Sequence, residues 1–265
     1  MKKNILIVVL MAVAGILMMP SCNSNADKNN SLQAPETTQS ETNQATAAAN
    51  GEQDDDDDDD DDALENQGQA PAKTNPAGST DAKTAIINNL MTAFTGETTA
   101  SAKYAAYAKK AQEEGFVQIA LLFKATSRSE MIHADNHRAV LEDMEKTAPS
   151  VSPQFSVKTT RENLADAIAG EAYEISTMYP DFMATANTAD NQQALTSLNY
   201  AYRTEQRHKP LYEKALAALQ NNQTGTLPGQ YLVCPTCGNT YDAAPPKRCR
   251  VSMTPSERFI KINSL

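Results

Sequence analysis

Ser129-Glu130-Met131-Ile132-His133-Ala134 and Thr204-Glu205-Gln206-Arg207-His208-Lys209 decide how this chain folds. Each carries Glu-x-x-His inside a long stretch with helical periodicity. Residues three apart on a helix share a face, so each stretch aims a carboxylate and an imidazole at one spot. The surrounding stripes are otherwise largely apolar. The first runs Ile119, Phe123, Thr126, Glu130, His133, His137, Val140, Met144, and the second Leu195, Leu198, Tyr202, Glu205, His208, Tyr212, Leu216, Leu219. Isolated charges are too costly to leave in such an interior, so something there must compensate them.

Two further stripes bring carboxylates to the matching depth. One is Leu90, Phe94, Glu97, Ser101, Tyr104, Ala108, Ala111, and the other is Leu164, Ile168, Glu171, Ile175, Met178, Phe182, with Glu174 beside Glu171. The halves echo one another: Phe94-Thr95-Gly96-Glu97 followed by Tyr104 parallels Ile168-Ala169-Gly170-Glu171 followed by Tyr179. From each Gly-Glu to the Glu of its Glu-x-x-His is 33 residues in the first half (130 − 97) and 34 in the second (205 − 171). A duplicated helical hairpin explains the echo. Two hairpins joined by a crossover from Thr147 to about Lys158 predict an all-α four-helix bundle, whose core accepts metal ligands from facing helices. Five carboxylates and two imidazoles on four helices point to a dinuclear metal site. Its oxygen-rich donors suit iron or manganese better than a soft metal. Solvated helix faces are the alternative, and the Leu, Ile and Phe sharing the stripes with these glutamates argue against it.

The rest of the chain sorts by composition. Of the net charge of −10, nine units belong to the unbroken run Asp54–Asp62, leaving about −1 elsewhere (−10 + 9). There is no electrostatic case for nucleic-acid binding. Residues 1–22 read as a secretory leader: Lys2 and Lys3, an apolar core from Ile5 to Met19, then Ser21-Cys22. Residues 23–80, poor in large apolar side chains, are expected to be a disordered linker. The bundle is expected at 81–222, with Gly115 ending its first helix. A compact module follows at 228–265, with Cys234, Cys237 and Cys249. Cys-x-x-Cys spacing in so small a module predicts a metal rather than disulfides.

Residues 82–265 resemble rubrerythrin, a ferritin-like di-iron bundle followed by a rubredoxin-like module. The resemblance implies that Glu97, Glu130, His133, Glu171, Glu205 and His208 hold two iron ions. It makes Glu174 an additional carboxylate that exchanges with a histidine as the irons change oxidation state, and Tyr104 and Tyr179 tyrosines that hydrogen-bond metal-bound carboxylates. His137 lies on the same stripe outside the motif and reads as a packed or partly exposed histidine. The tail is similar to rubredoxin through Cys234-Pro235-Thr236-Cys237-Gly238, Pro246-Lys247-Arg248-Cys249 and Phe259-Ile260-Lys261-Ile262. It departs where Ser252 stands for the fourth cysteine and Met253 for the usual glycine. Cys234, Cys237 and Cys249 then hold one iron or zinc, with Ser252 oxygen or water in the fourth position.

The activity implied is reduction of hydrogen peroxide to water by a non-haem di-iron peroxidase, re-reduced through the rubredoxin-like centre. The alternatives are a ferroxidase or iron-binding protein without peroxidase turnover, and a metal-stabilised structural or sensing domain. The electron donor is left unnamed. Family members pair head to tail, which implies a homodimer. A cysteine directly after the leader resembles a bacterial lipoprotein signal, making Cys22 the lipidated residue of an exported, membrane-anchored protein.

Overall fold

The computed structural model describes residues 76–242 and 244–265. The leader, Cys22 and the aspartate run lie outside the described residues. Among the described residues, no helix is long and apolar enough to cross a membrane.

Helix α1 (Pro76–Glu113) turns at Gly115, whose φ of +85° suits glycine, and is followed by α2 (Val117–Asp143). The crossover ends at Thr159, which caps α3 (Thr160–Tyr173) reciprocally with Glu162: the Glu162 amide donates to the Thr159 hydroxyl, and the Thr159 amide donates to the Glu162 carboxylate. One turn of π-helix, Glu174–Met178, joins α3 to α4 (Tyr179–Thr188), and α5 (Gln192–Gln220) starts from an Asn191 cap. With α3, the π-turn and α4 taken as one long helix, the fold is the expected four-helix bundle.

The π-turn accounts for the unequal spacing of the two halves. From Glu97 to Tyr104 is 7 residues (104 − 97), whereas Glu171 to Tyr179 is 8 (179 − 171). A π-turn absorbs one extra residue by shifting a hydrogen bond from i−4 to i−5, as the Tyr179 amide does in donating to the Glu174 carbonyl. Tyr104 and Tyr179 thereby both reach a carboxylate of the buried layer.

Two apolar clusters close the bundle on either side of that layer. One contains Tyr104, Tyr107, Ile119, Leu122, Phe123 and Tyr212, and the other contains Ile86, Leu90, Leu141, Met178, Tyr179 and Leu198. In the first, Phe123 packs against Tyr107 and Tyr212 at centroid distances of 5.4 and 5.3 Å, a geometry favourable for aromatic pairs.

The tail is a three-stranded antiparallel sheet in the order β2-β1-β3, formed by β1 (Tyr231–Val233), β2 (Thr240–Tyr241) and β3 (Ile260–Ile262). Val233 pairs with Thr240 on one side and Ile260 on the other. Tyr231 and Val233 bury their side chains in the first apolar cluster of the bundle, so the module and the helices share a core.

Candidate metal centres

Each functional side chain of the bundle arrives from a different place on four helices. Glu97 comes from the middle of α1, Glu130 and His133 from α2, Glu171 from the end of α3, and Glu205 and His208 from α5; all are at most 2% exposed. Ligand atoms of Glu97, Glu130, His133 and Glu205 lie within 4.8 Å of one another, as do those of Glu130, Glu171, Glu205 and His208. Glu130 and Glu205 belong to both groups and so bridge them. The arrangement has two centres, each with one imidazole and one unshared carboxylate.

The inward atoms converge without bonding to one another. His133 Nδ1 lies 3.4, 3.0 and 2.9 Å from oxygens of Glu97, Glu130 and Glu205, and His208 Nδ1 lies 3.2 and 2.8 Å from oxygens of Glu130 and Glu205. Despite these short separations, neither Nδ1 has a hydrogen-bond partner among the described residues. The same holds for Glu97 Oε2, Glu171 Oε2 and both oxygens of Glu130 and Glu205. Buried polar atoms are normally satisfied, and lone pairs aimed at common points are satisfied by cations. Four carboxylates bring four negative charges, which two divalent ions neutralise. The donor set therefore fits two such ions.

Electrostatics agree. Burial pushes the Glu97 carboxyl up to about 7 against the pull of His133. Burial and the carboxylates Glu205 and Glu130 hold Glu171 well above its ordinary range. Burial opposes charge on the imidazoles, yet Glu205 and Glu97 raise His133, and Glu130 and Glu205 raise His208 to about 9. Glu205 goes the other way: burial opposes its charge, but His133 and His208 on either side hold it below the carboxylate range. Without metal, this layer keeps protons that cations would displace.

The outer contacts orient the ligands. Tyr104 donates to Glu171 Oε1 at 2.8 Å, and Tyr179 donates to Glu97 Oε1. The outward nitrogens of both histidines meet the tail module. His133 Nε2 lies 3.1 Å from the Cys237 carbonyl oxygen, and His208 Nε2 lies 3.0 Å from Thr240 Oγ1. A carbonyl partner requires His133 to carry its proton on Nε2, leaving Nδ1 free as a donor to metal. Ser129 and Thr204 clamp the same loop, donating to the carbonyls of Gly238 (2.7 Å) and Cys237 (3.0 Å). Sequence reasoning missed these clamps because nothing in the spacing says which loop will lie above α2 and α5.

Glu174 stands apart from the two groups. It opens the π-turn and is partly exposed as a residue, but its carboxyl is held well above the ordinary range by desolvation and by Glu97, Glu205 and Glu130. His137 is the packed histidine of the two readings, fully buried. Its ring makes hydrogen bonds to Ser197 and Tyr179 and does not enter the ligand groups.

In the module, Cys234, Cys237 and Cys249 gather their sulfurs within 4.8 Å, all fully buried. Cys237 Sγ lies 3.4 Å from Cys249 Sγ, and Ser252 Oγ lies 3.2 Å from Cys234 Sγ. Hydrogen bonds from Cys234 and Cys237 lower the Cys249 thiol below its ordinary range. Met253 occupies a left-handed conformation, φ +61°, where glycine would be unstrained. The fourth corner of this cluster is a hydroxyl.

A helical bundle with a carboxylate–imidazole dinuclear site, carrying a small cysteine metal module, defines a class of non-haem redox proteins. The rubrerythrin family profile matches residues 88–216. Nigerythrin of Nitratidesulfovibrio vulgaris is 35% identical over 184 residues, covering 68% of this chain and 89% of that protein. Rubrerythrin-2 of Clostridium acetobutylicum is 31% identical over 171 residues, covering 64% and 92%. A solved structure of nigerythrin in its fully reduced, all-ferrous state superposes with a TM-score of 0.61 at 32% identity, over 66% of this chain and 86% of that one. The chain belongs to the rubrerythrin family. Members bind a di-iron centre and a rubredoxin-like iron site and are oxidoreductases of the peroxidase type. The two clusters described above are where this chain would hold those ions.

Proposed function

We propose that this chain reduces hydrogen peroxide to water at the bundle site and is recharged through its own cysteine module. The observation that carries the reading is the contact of His133 Nε2 with the Cys237 carbonyl at 3.1 Å. One side chain thus faces the bundle site with one nitrogen and a cysteine of the second site with the other. A protein that only stored or oxidised iron would have no use for a second redox site hydrogen-bonded to the first.

When bound, a pair of ferrous ions supplies the two electrons that peroxide reduction takes up. The residues do the rest. Glu97, Glu130, His133, Glu171, Glu205 and His208 hold the ions, and their negative charge favours the higher oxidation state reached after reaction. Tyr104 and Tyr179 fix the carboxylates of Glu171 and Glu97. Glu174, desolvated near the site and mounted at the start of the π-turn, would be a further carboxylate available to the bound ions. Cys234, Cys237 and Cys249 would hold the mononuclear iron, with Ser252 Oγ near enough to complete the set. The Cys237 carbonyl and the His133 ring form the hydrogen-bonded link between the two sites.

The ferroxidase reading has one observation in its favour, the hydroxyl at Ser252. Oxygen is a harder donor than sulfur and favours ferric iron, which lowers the potential of the module and gives its electron more driving force inward. On that ground the substitution is compatible with recharging. Stopped-flow oxidation of the reduced, iron-loaded chain decides between the readings. Much faster oxidation by peroxide than by dioxygen is expected, and the reverse order would establish the ferroxidase.

The proposed setting is extracytoplasmic. In this proposal Cys22 carries the lipid, the stretch from residue 23 to the start of α1 at Pro76 connects it to the folded part, and the protein is a homodimer. Metabolic labelling with a radioactive fatty acid tests this; label retained by Cys22→Ala would refute the anchor.

A further inference from the structure

His137 has no part in holding metal, yet it is fully buried at the edge of the site and bonded at both nitrogens. Its Nδ1 lies 2.8 Å from Ser197 Oγ, and its Nε2 lies 3.4 Å from Tyr179 OH. Tyr179 donates to the Glu97 carboxylate. That last bond fixes the polarity of the whole row. With its proton committed to Glu97, the phenol oxygen can only accept from His137, so Nε2 carries the ring proton. Nδ1 is then an acceptor, and the Ser197 hydroxyl donates to it. Burial and the neighbouring His133 push the imidazole down to about 3, which keeps it neutral, as this row of donors requires. Ser197 is 5% exposed and lines a groove of about 340 Å³ between α2 and α5, bordered by Asn136, Val140, Gln193, Thr196 and Tyr200.

We infer that His137 is a proton-relay residue, carrying protons from water in the α2–α5 groove through Ser197 and Tyr179 to Glu97. The inference rests on the peroxide-reducing function proposed above, because reduction of one peroxide to two waters takes up two electrons and two protons. Protons must therefore reach a site whose ligands are at most 2% exposed. In one passage, the Ser197 O–H bond breaks as Nδ1–H forms, Nε2–H breaks as a phenol O–H forms, and the former phenol proton moves to Glu97 Oε1, while Oε2 stays the oxygen facing the metal. Ser197 recovers its proton from groove water. No electron moves, and each group ends with the number of protons it began with except Glu97, which gains one. Rotation of the two hydroxyls and tautomer exchange in the imidazole reset the row.

Two measurements test it. Nitrogen-15 NMR of the zinc-loaded protein reads the tautomer directly: a neutral His137 protonated on Nε2 is expected, and a ring protonated on Nδ1 or on both nitrogens overturns the relay. The second compares wild type, His137→Gln and His137→Leu, reduced and iron-loaded to equal metal content, reacting with peroxide in H2O and D2O. Glutamine keeps the bulk and a hydrogen bond to Tyr179 but cannot pass a proton. Both variants are therefore expected to react on the order of 10²-fold more slowly, the lower end of what a positioned proton donor contributes. A His137→Gln rate equal to wild type, with only His137→Leu slowed, would make the ring a prop for Tyr179 and overturn the relay alone. A wild-type chain that peroxide does not oxidise overturns the proposed function and the relay together.

Discussion

Gly238 is the residue on which the contact between the two metal sites turns, and replacing it by alanine tests that contact. Its φ is +78°, a conformation costing an L-residue about 1–2 kcal/mol. A Cβ there would also fall 2.5 Å from both His133 Nε2 and Ser129 Oγ, closer than real contacts allow. His133 is fully buried with Glu130 and Glu205 close against its inner side, so the loop must lift instead. Lifting it loosens the bonds from Ser129 to the Gly238 carbonyl, and from His133 and Thr204 to the Cys237 carbonyl. At about 1 kcal/mol for each hydrogen bond, the three add about 3 kcal/mol to the conformational cost. The variant is expected to lose about 4–5 kcal/mol from module docking while leaving the bundle folded. Hydrogen exchange of the module amides reads the first effect. Freeze-quench measurement of electron passage from the reduced module to the oxidised bundle site reads the second, which should slow by orders of magnitude. Unchanged protection and an unchanged rate would refute the claim that this loop joins the two sites.

Further outcomes follow from the same geometry. Met253→Gly relieves the left-handed strain at φ +61° and is expected to stabilise the module by about 1 kcal/mol in denaturant unfolding. Ser252→Cys adds a fourth thiolate to Cys234, Cys237 and Cys249 and is expected to raise the module's potential and give the absorption spectrum of an all-thiolate ferric site. An unaltered spectrum would exclude Ser252 as a ligand position. The metal-free chain should become less stable as pH rises. Glu97, raised from 4.5 to about 7, favours the folded state below about 4.5 and loses that contribution through pH 7. His208, raised from 6.5 to about 9, extends the loss to pH 9. The Glu97 shift alone corresponds to about 3 kcal/mol. Unfolding free energies of metal-free protein from pH 6.5 to 9, above the range where the lowered His137 acts in the opposite sense, check the sign, and metal-loaded protein should not follow this trend because bound cations replace the protons.

Much of the fold could be read in advance because the two Glu-x-x-His stretches combine a helical period with a charge pattern that only a buried metal explains. The duplicated Gly-Glu spacing then supplied the other two helices. The one-residue mismatch between halves was equally visible, but its consequence was not. Which backbone bond accommodates an extra residue depends on how α3 and α4 pack on their neighbours. Of the two settings the sequence left open for His137, packed or partly exposed, the structure shows the packed one, and its partners were out of sight for a related reason. A histidine on an apolar stripe gives no sign of its partners, and Ser197 and Tyr179 come from distant segments. The docking of Cys237 and Gly238 over His133 was illegible too, since it depends on a contact across about a hundred residues of chain, 104 between His133 and Cys237. The glycine after the second cysteine was in plain view, but its closeness to the bundle was not.

The most direct test of the central claim is anaerobic titration of metal-free chain with ferrous iron, followed by oxidation with peroxide and Mössbauer spectroscopy. The account predicts that the bundle takes up two irons, which give a magnetically coupled ferric pair after oxidation, and that Glu130→Ala, lacking a carboxylate common to both ligand groups, abolishes the coupled pair while the module keeps its iron. A wild-type bundle that binds fewer than two irons, or binds them without coupling, would contradict it.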